Sequence, residues 1–342
     1  MRRLSSLFTK EIAIDLGTAN TIILLNDQLV VDEPSIIALD KNTKQVKAVG
    51  KKAQMMHGKT HEEIQTIRPL KDGVIANFQA TELMLKEFIK AMPGLKGHLF
   101  PPALKMVICI PSGITEVEKR AVRDSAEQAG AKEVRLIHEP MAAAIGIGRD
   151  VLSEDGNMIV DIGGGTSEVA VIALGGIVTC RSSKTAGDEF NDNIIDYMRR
   201  KHNLSIGEPT AERIKIKVGS AIEDLEDPPE DYEVQGRDLV QGLPVSVKVN
   251  YREIAQALDH SISEIESAIK STLESTPPEM CVDIYKNGIY IAGGGALLRG
   301  LDKRISQMTH LPVHIADNPL MAVARGTGIA LKNIDKFPFL MK

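Results

Sequence analysis

The sequence predicts an α/β protein made of two related lobes, and three observations support this fold class. The chain has 342 residues, which at about 100–200 residues per domain suffices for two domains or one large two-lobed domain. A segment near the N-terminus recurs near the middle, and strand-like and helix-like patterns alternate after each copy. With 43% hydrophobic and 25% charged residues, the composition is that of a folded globular protein and excludes wholesale disorder.

The recurring segment is a predicted β-hairpin with an aspartate near its turn. Residues 12–25 and 158–174 each contain an apolar strand, an aspartate (Asp15 or Asp161), a turn of small residues and a second apolar strand. Because the small residues lie between two strands and not before a helix, the pattern is typical of a hairpin. The two aspartates are 146 positions apart, so we expect two related halves that each open with this hairpin.

Alternating hydrophobic periods predict the other core elements. In the first half we expect strands at 105–111 and 134–137, and helices at 115–130 and from Pro140 onward. The helix at 115–130 has apolar residues assigned to its inner side, namely Val117, Ala121, Val122, Ala126 and Ala129. In the second half we expect helices at 254–273 and 296–308 and a strand at 289–292.

These patterns divide the chain into two core lobes, each interrupted by an insertion. The first core lobe (IA) takes residues 1–31 and 73–145, and its insertion (IB) takes 32–72. The second core lobe (IIA) takes residues 146–180 and 251–342, and its insertion (IIB) takes 181–250. Residues 223–233 carry seven acidic side chains, but they lack EF-hand spacing and predict an exposed loop rather than a calcium site.

Charge, apolar runs and cysteines exclude several classes of protein. The net charge of −5 argues against a nucleic-acid binder, which usually carries a basic excess. The longest uncharged stretches, such as residues 169–180, are shorter than the ~20 residues that cross a bilayer. The three cysteines are far apart and form no C-x-x-C motif, so we expect no disulfide framework, no zinc site and a reduced, cytosolic chain.

The two hairpin turns are candidates for binding phosphate. Glycine lets a turn approach a ligand closely and point successive backbone N–H groups at phosphate oxygens. Two facing turns would hold a polyphosphate from both sides, and Asp15 and Asp161 would hold Mg²⁺ through its waters, because Mg²⁺ dehydrates reluctantly. Either hairpin alone would be an ordinary tight turn; the matching aspartates in both favour phosphate binding.

Three further groups of residues have both a functional and a structural interpretation. Gly293–Gly295 would pass beneath a nucleoside, although strand–glycine–helix junctions are common. Glu212 and Lys215 share a helix face and would hydrogen-bond a ribose or a base, or would form a solvated ion pair. Glu139, with Thr166, would orient or deprotonate a water at a γ-phosphate, or Glu139 would simply interact with a helix dipole.

The N-terminal ten residues also allow two interpretations. On a helical wheel, Met1, Leu4, Leu7 and Phe8 lie on one side and basic residues lie on the other. This pattern suits a helix lying on an anionic membrane surface. The alternative is a frayed tail or a short helix packed on the body of the protein.

Several motifs occur together in the order found in the actin, heat-shock-chaperone and sugar-kinase superfamily. They are Asp15–Asn20 (DLGTAN), His138–Ala144 (HEPMAAA), Asp161–Thr166 (DIGGGT), Ala186–Phe190 (AGDEF) and Ala292–Leu298 (AGGGALL). Two further segments, 67–76 (IRPLKDGVIA) and 207–215 (GEPTAERIK), are similar to the MreB family of bacterial actins in particular. The resemblance to that family covers essentially the whole chain.

The resemblance implies an actin-like fold, in which two duplicated ribonuclease-H-like domains enclose a nucleotide cleft and each carries a small insertion. It implies ATP, with ADP after hydrolysis, as the nucleotide and Mg²⁺ as the metal, held by Asp15 and Asp161. It assigns hydrolysis to Glu139 and Thr166. The implied cofactor-binding residues are Gly17, Thr18, Ala19, Asn20, Gly163, Gly164, Gly165, Thr166, Gly187, Asp188, Glu212, Arg213, Ile214, Lys215, Gly293, Gly294, Gly295 and Ala296.

The same resemblance implies a weak Mg-ATPase coupled to polymerisation, not a metabolic enzyme. The expected filament has paired protofilaments on the inner face of the cytoplasmic membrane and determines cell shape by organising peptidoglycan synthesis. Its implied partners are RodZ, MreC, MreD and the wall-synthesis enzymes, without nucleic acid. The implied membrane contacts are Leu4, Leu7 and Phe8 in the N-terminal segment and Leu95, Leu99 and Phe100 in a proline-bounded loop.

The chain departs from the family pattern at two positions. His138 stands where the family often has glutamate, and Asn191 stands where the Gly-Asp-x-Phe motif usually continues with aspartate. Two other functions on this fold are weaker hypotheses. A small-molecule kinase needs an added substrate pocket with a catalytic base, and a chaperone needs room for a peptide-binding domain.

Overall fold

The computed structural model describes residues 9–93 and 103–342, and its elements alternate between strands and helices. The first half contains β1 (Thr9–Leu16), β2 (Asn20–Leu25), β3 (Gln28–Pro34), β4 (Ile37–Asp40), β5 (Val46–Val49), α1 (Lys51–Met56), β6 (Ile64–Ile67), β7 (Leu70–Lys71), β8 (Val74–Ile75), α2 (Phe78–Ala91), β9 (Ala103–Ile110), α3 (Glu116–Gln128), β10 (Ala131–His138) and α4 (Glu139–Gly146).

The second half contains β11 (Asn157–Ile162), β12 (Ser167–Ala173), β13 (Gly176–Ser183), α5 (Gly187–His202), β14 (Leu204–Ser205), α6 (Glu208–Val218), β15 (Tyr232–Asp238), β16 (Pro244–Val249), α7 (Tyr251–Glu274), α8 (Pro278–Asn287), β17 (Ile289–Ala292), α9 (Leu301–Thr309), β18 (Val313–Ile315) and α10 (Ala322–Lys332). Short 3₁₀ turns follow β17 and flank α10, at Gly294–Leu297, Pro319–Met321 and Ile334–Lys336.

Two five-stranded sheets have the same strand order, β3-β2-β1-β9-β10 and β13-β12-β11-β17-β18. In each sheet the first three strands along the chain are antiparallel, and the last two add in parallel. The hairpins that carry Asp15 and Asp161 therefore occupy equivalent places at the centre of the two sheets. The predicted duplication is confirmed.

Each half also carries a three-stranded sheet, β5-β4-β6 in the first and β14-β15-β16 in the second. Both lie within the segments predicted as insertions. Strands β3 and β13 end at Pro34 and Ser183, three residues beyond the predicted ends of the core segments at 31 and 180. The edge strands of the two large sheets thus continue into the start of each predicted insertion.

Two local expectations were wrong. A single helix was expected at 296–308, but a 3₁₀ turn ends at Leu297 and α9 begins at Leu301, because Gly300 lies between them in a left-handed conformation with φ of 74°. Val117 was expected on the inner side of α3, yet it is 79% exposed. The buried face is set by Val122 and Ala126, and a residue five positions before Val122 points about 140° away from it.

Helices α4 and α10 pack against each other between the two sheets. Their buried small residues share one core with Ala13 and Val107 of the first sheet and with Ile159 and Ala170 of the second. A methyl group added to Gly326 would overlap the carbonyl oxygen of Ala142, and one added to Gly146 would overlap that of Ala322. The two helix backbones are therefore in direct contact, which only glycine at these two positions permits.

The C-terminal residues return to the first sheet, where Met341 and Leu136 exchange two backbone hydrogen bonds of 2.9 and 3.0 Å. The C-terminal part of the chain therefore contacts both halves. None of the helices in the described residues is long and apolar enough to span a membrane.

Gly326→Ala tests the contact between α4 and α10. Alanine normally stabilises a helix relative to glycine by about 1 kcal/mol, but here its methyl group would overlap a backbone oxygen. We expect the free energy of unfolding, measured by urea denaturation, to fall by about 2–3 kcal/mol. The control is Gly176→Ala, whose added methyl group has its nearest neighbour at 3.8 Å. Unchanged stability in Gly326→Ala would contradict the close approach.

Candidate functional site

A cavity of about 940 Å³ lies between the two halves, and it collects nearly all of the predicted site residues. Asp15 and Asp161 both line it, as does Glu139. The predicted cofactor-binding residues that also line it are Gly17, Thr18, Ala19, Asn20, Gly163, Gly164, Gly165, Thr166, Gly187, Asp188, Glu212, Arg213, Lys215, Gly293, Gly294 and Gly295.

Two predicted cofactor-binding residues do not line this cavity. Ile214 and Ala296 are 0% and 1% exposed and belong to the hydrophobic core of the second half. Ile214 follows Glu212 by two positions, so it points to the opposite side of α6. The predicted membrane contacts Leu4, Leu7, Phe8, Leu95, Leu99 and Phe100 lie outside the described residues.

The two glycine-containing turns contact each other across the cavity. A methyl group on Gly164 would lie 2.5 Å from the Ala19 Cβ, and one on Gly165 would lie 2.6 Å from the Thr18 Oγ1. Any larger residue at these positions would push the turns apart. The glycines are therefore required by the contact between the two halves, and they would also give a ligand access to the backbone N–H groups.

A third turn, between β7 and β8, contacts both of these glycine-containing turns. Gly73 has a φ of 78°, its N–H donates to the Thr18 Oγ1 at 3.0 Å, and a methyl group on it would lie 2.8 Å from the Thr166 Cγ2. Sequence reasoning missed this residue. The Asp72-Gly73 pair was the available signal, since Asp-Gly is typical of hairpin turns.

The N-terminus of α5 rests on the second glycine turn. The N–H groups of Gly187 and Asp188 donate to the carbonyl oxygens of Gly163 and Gly164 at 3.1 and 2.7 Å. The Lys215 Nζ donates to the Gly187 carbonyl at 2.9 Å and to the Glu212 Oε2 at 2.7 Å. Glu212 and Lys215 thus form an ion pair at the cavity wall, in which the Lys215 side chain is largely buried.

Apolar side chains line the cavity near Gly293–Gly295. Ile216, Leu297 and Leu320 are 61%, 56% and 47% exposed and all three line the cavity. Large apolar side chains that are exposed at a cavity wall are typical of a ligand site. These three side chains are suited to contact with the flat faces of a planar ring. Sequence reasoning missed them because no motif distinguishes them from core residues.

Arg68 connects the two halves at the edge of the cavity. Its Nη2 donates to both carboxylate oxygens of Asp188 at 3.0 Å, and its Nη1 donates to the Glu208 Oε1. Arg68 follows β6 in the first half, whereas its partners begin α5 and α6 in the second. A planar guanidinium suits this double contact. Sequence reasoning missed Arg68 because its partners are 120 and 140 positions away.

The carboxyl groups of Asp15, Asp161 and Glu139 cluster near these turns. Burial raises the pKa of Asp15 to about 6, although a hydrogen bond from the Cys109 thiol opposes the shift. Burial, and then the charges of Asp15 and Glu168, raise the pKa of Asp161 to about 7. The pKa of Glu139 is raised well above its usual 4.5 by burial and by the charges of Glu168, Asp161 and Asp15. Each of these groups therefore destabilises the ionised form of another.

Glu168 is the fourth carboxylate, and sequence reasoning did not single it out. It accepts hydrogen bonds from the Ser112 N–H and Oγ, both at 2.8 Å, although burial still raises its pKa. Ser112 follows β9 in the first half and Glu168 lies on β12 in the second. This pair is a second polar link between the halves.

His138 is a packed residue. It does not line the cavity, and burial, followed by the charge of Lys119, lowers its pKa. Its Nδ1 is buried and has no hydrogen-bond partner among the described residues. His138 therefore does not reach the cavity in which Glu139 lies.

The donor set fits a hydrated magnesium ion. Among the described residues, no group of three or more histidine, cysteine, aspartate or glutamate side chains is arranged to hold a metal. Asp15 and Asp161 alone would leave most coordination positions to water and to a ligand's phosphate oxygens. Mg²⁺ favours this mixture, since it keeps several waters in protein sites.

The raised pKa of Asp161 predicts how stability changes with pH. Its pKa of about 7 in the folded chain exceeds its usual 3.8, so protonation stabilises the folded state, and this contribution is lost as the pH rises through 7. For the nucleotide-free and metal-free protein, we expect Asp161 to add about 1 kcal/mol of stability at pH 6 relative to pH 8. Urea denaturation at both values should show this difference reduced in Asp161→Asn and retained in Asp192→Asn, a change at an exposed carboxylate. Equal pH dependence in Asp161→Asn and wild type would contradict the assignment.

Comparisons with known proteins agree with this architecture. The sequence model of the MreB/Mbl protein family matches residues 9–338. The chain is 48% identical to the cell shape-determining protein Mbl of Bacillus subtilis over 333 residues, which cover 97% of this chain and 98% of Mbl. It is 46% identical to the cell shape-determining protein MreB of Escherichia coli K12 over 340 residues, which cover 98% and 97% of the two chains.

Solved structures give the same fold. The crystal structure of MreB 5 of Spiroplasma citri bound to AMPPNP superposes with a TM-score of 0.90 at 39% identity, covering 96% of this chain and 97% of that one. The MamK double helical filament gives a TM-score of 0.79 at 21% identity over 95% and 99% of the two chains, which supports the fold alone. The two-lobed architecture is thus actin-like, and the chain belongs to the MreB/Mbl family.

Proposed function

We propose that this chain binds Mg-ATP in the cleft between its halves, hydrolyses it slowly and forms membrane-associated filaments that determine cell shape. The observation that carries the proposal is the meeting of two equivalent glycine turns in one cavity, each preceded by an aspartate that lines the cavity. A triphosphate with its metal is the ligand that needs both backbone donors and carboxylates at one place. The relative from Spiroplasma citri, which was solved with AMPPNP and with ADP, supports a nucleotide as the ligand.

The phosphates are assigned to the backbone N–H groups of Gly17–Asn20 and Gly163–Thr166. Glu212 and Lys215 face the ribose, and Ile216 and Leu297 face the base. Asp15 and Asp161 would hold Mg²⁺ through water. When bound, the ion supplies positive charge that offsets the charge of the phosphates.

Hydrolysis is assigned to Glu139 and Thr166. The Thr166 hydroxyl orients a water, and the Glu139 carboxylate takes its proton while the water oxygen bonds to the γ-phosphorus and the bond to the ADP oxygen breaks. Because burial and its acidic neighbours raise the pKa of Glu139, this carboxyl is poorly ionised in the empty cleft. The positive charge of a bound Mg²⁺ would favour the ionised form of Glu139 that catalysis requires.

Self-association and membrane attachment are the remaining parts of the proposal. We assign membrane binding to Leu4, Leu7 and Phe8 and to Leu95, Leu99 and Phe100. Each apolar side chain contributes at most ~1.5–3 kcal/mol when fully buried, so one protomer would bind weakly and a filament of paired protofilaments strongly, through avidity. We propose the inner face of the cytoplasmic membrane as the location, peptidoglycan synthesis as the process organised, and RodZ, MreC, MreD and wall-synthesis enzymes as partners.

Light scattering and sedimentation with Mg-ATP, with and without anionic liposomes, test this function. We expect the protein to pellet as a polymer in Mg-ATP and to pellet with the liposomes. Phosphorylation of an added sugar or acid in the absence of any polymer would instead identify a small-molecule kinase and refute the proposal.

Asp161→Ala tests the metal and phosphate site. We expect at least a 100-fold loss of ATP turnover, because the remaining Asp15 cannot hold the metal alone; removal of a second-shell group already costs about 10- to 100-fold. Phosphate release is the measurement. Asp192→Ala, at an exposed position on α5, should retain wild-type turnover. Unchanged turnover in Asp161→Ala would reject the role of Asp161.

Removal of residues 1–8 tests the membrane contact. Strand β1 begins at Thr9, which pairs with Ala103, so this truncation leaves the first sheet whole. We expect normal polymerisation in Mg-ATP and a several-fold loss of co-sedimentation with anionic liposomes. Full retention on the liposomes would show that the N-terminal segment is not an anchor.

A further inference from the structure

Arg68 and two carboxylates link the segments predicted as insertions of the two halves. Arg68 follows β6 in the first insertion, whereas Asp188 and Glu208 lie in the first turns of α5 and α6 in the second. The Arg68 Nη2 donates to both Asp188 oxygens at 3.0 Å, and its Nη1 donates to the Glu208 Oε1. His57, also in the first insertion, has its Nε2 4.0 Å from the Glu208 Oε2. Because all four residues line the cavity, these contacts bridge it from one insertion to the other.

These ion pairs differ from the other contacts between the halves. Helices α4 and α10 touch through their backbones at Gly146 and Gly326, and Glu168, which accepts from Ser112, is 1% exposed. The Arg68 side chain, by contrast, is 25% exposed, and those of its two partners are 34% and 37% exposed. Water can therefore replace each partner of Arg68 at little net cost. The Arg68 contacts are weak enough to break and re-form while the packed contacts stay intact.

Both ends of the Arg68 contact are attached to the glycine turns that we propose hold phosphates. The Asp188 N–H donates to the Gly164 carbonyl oxygen at 2.7 Å. On the other side, the segment that follows Arg68 reaches the first turn, where the Gly73 N–H donates to the Thr18 Oγ1 at 3.0 Å. A ligand on the two turns would therefore lie beside the ion pairs, in the cavity that they bridge.

We propose that Arg68 is a positioning residue that closes the cleft over a bound nucleotide, and that its ion pairs with Asp188 and Glu208 must open before the nucleotide leaves. The opening of these pairs then sets the rate of nucleotide exchange, as lids do in other proteins. Because salt screens partly exposed charges, exchange becomes faster as the ionic strength rises. This inference rests on the proposed binding of a nucleotide.

The test measures the dissociation rate constant, koff, of a fluorescent ATP analogue labelled on the base. The full-length protein, kept below the concentration at which it sediments, is loaded with the analogue and Mg²⁺ and mixed with excess ATP in a stopped-flow instrument. Arg68→Ala/Glu208→Ala removes one charge of each sign, so the net charge of the cavity wall stays that of wild type. We expect this variant to raise koff about 5-fold or more, the effect of losing one such ion pair.

Arg68→Glu/Glu208→Arg provides the rescue, because it has the same net charge but restores an ion pair in the reverse direction. We expect it to exchange nucleotide more slowly than the double alanine variant. The control is Lys184→Ala, which removes an ion pair of 3.3 Å with Asp72. That pair also joins the halves, but neither residue lines the cavity, so koff should stay at the wild-type value.

Salt and the length of the phosphate chain separate this role from two others. Between about 0.05 and 0.5 M NaCl, koff should rise in wild type and stay constant in the double alanine variant; equal salt dependence would indicate a merely structural role and overturn the inference. A base-labelled ADP analogue should show the same increase in koff as the ATP analogue. An increase confined to the ATP analogue would make Arg68 a contact of the terminal phosphate and also overturn the inference.

Failure of this inference is distinct from failure of the proposed function. If wild type binds the analogue and the double alanine variant releases it at the wild-type rate, or the reversed pair fails to slow release, only the role of Arg68 is refuted. If wild type binds neither analogue, the proposed nucleotide site is refuted as well.

Discussion

The close contact between the two glycine turns is the constraint on which the rest of the site depends. Because Gly164 lies against Ala19 and Gly165 against Thr18, the strands that lead into the turns bring Asp15 and Asp161 into one cavity. The charges of Asp15, Asp161 and Glu168 then make ionisation of the neighbouring carboxyl groups less favourable, as the raised pKa values of Asp161 and Glu139 indicate. The same geometry that we propose as a phosphate cradle therefore gathers negative charge, which a bound cation would offset.

The two halves are joined by contacts of different kinds. Helices α4 and α10 share an apolar core in which the backbones touch at Gly146 and Gly326, so this joint cannot slide without overlap. Across the cavity the links are polar, through Arg68 with its two acidic partners and through Ser112 with Glu168. The ion pairs of Arg68 are partly exposed and can exchange their protein partners for water at little net cost, whereas Glu168 is buried. The contacts of Arg68 therefore hold the two halves together less strongly than the packed helices do.

Local patterns were sufficient to predict the duplicated hairpins and most of the cavity wall. The signals for the hairpins are local, because the alternating apolar runs, the matching aspartates and the glycines between strands lie within a few residues of each other. They can therefore be read from the sequence alone. The roles of three other residues depend on distant parts of the chain. Arg68 and Glu168 contact partners more than fifty positions away, and Ile216 is recognised only from its place in the cavity wall. Helical geometry explains the misplacement of Ile214, since residues 212 and 215 share a face from which residue 214 points away.

With Mg²⁺ bound as proposed, the carboxylates of the cleft would give its empty and its occupied state opposite responses to pH. In the empty cleft, protonation of Asp161 relieves repulsion, so the folded chain gains stability as the pH falls through 7. A magnesium ion bound as proposed would need the same carboxylate ionised, so its binding would displace the proton and strengthen as the pH rises. Near neutral pH the two demands are balanced at one side chain. Small changes in the charge around Asp161, including those made by Glu168 and its contact with Ser112, therefore shift the balance between the empty and the occupied cleft.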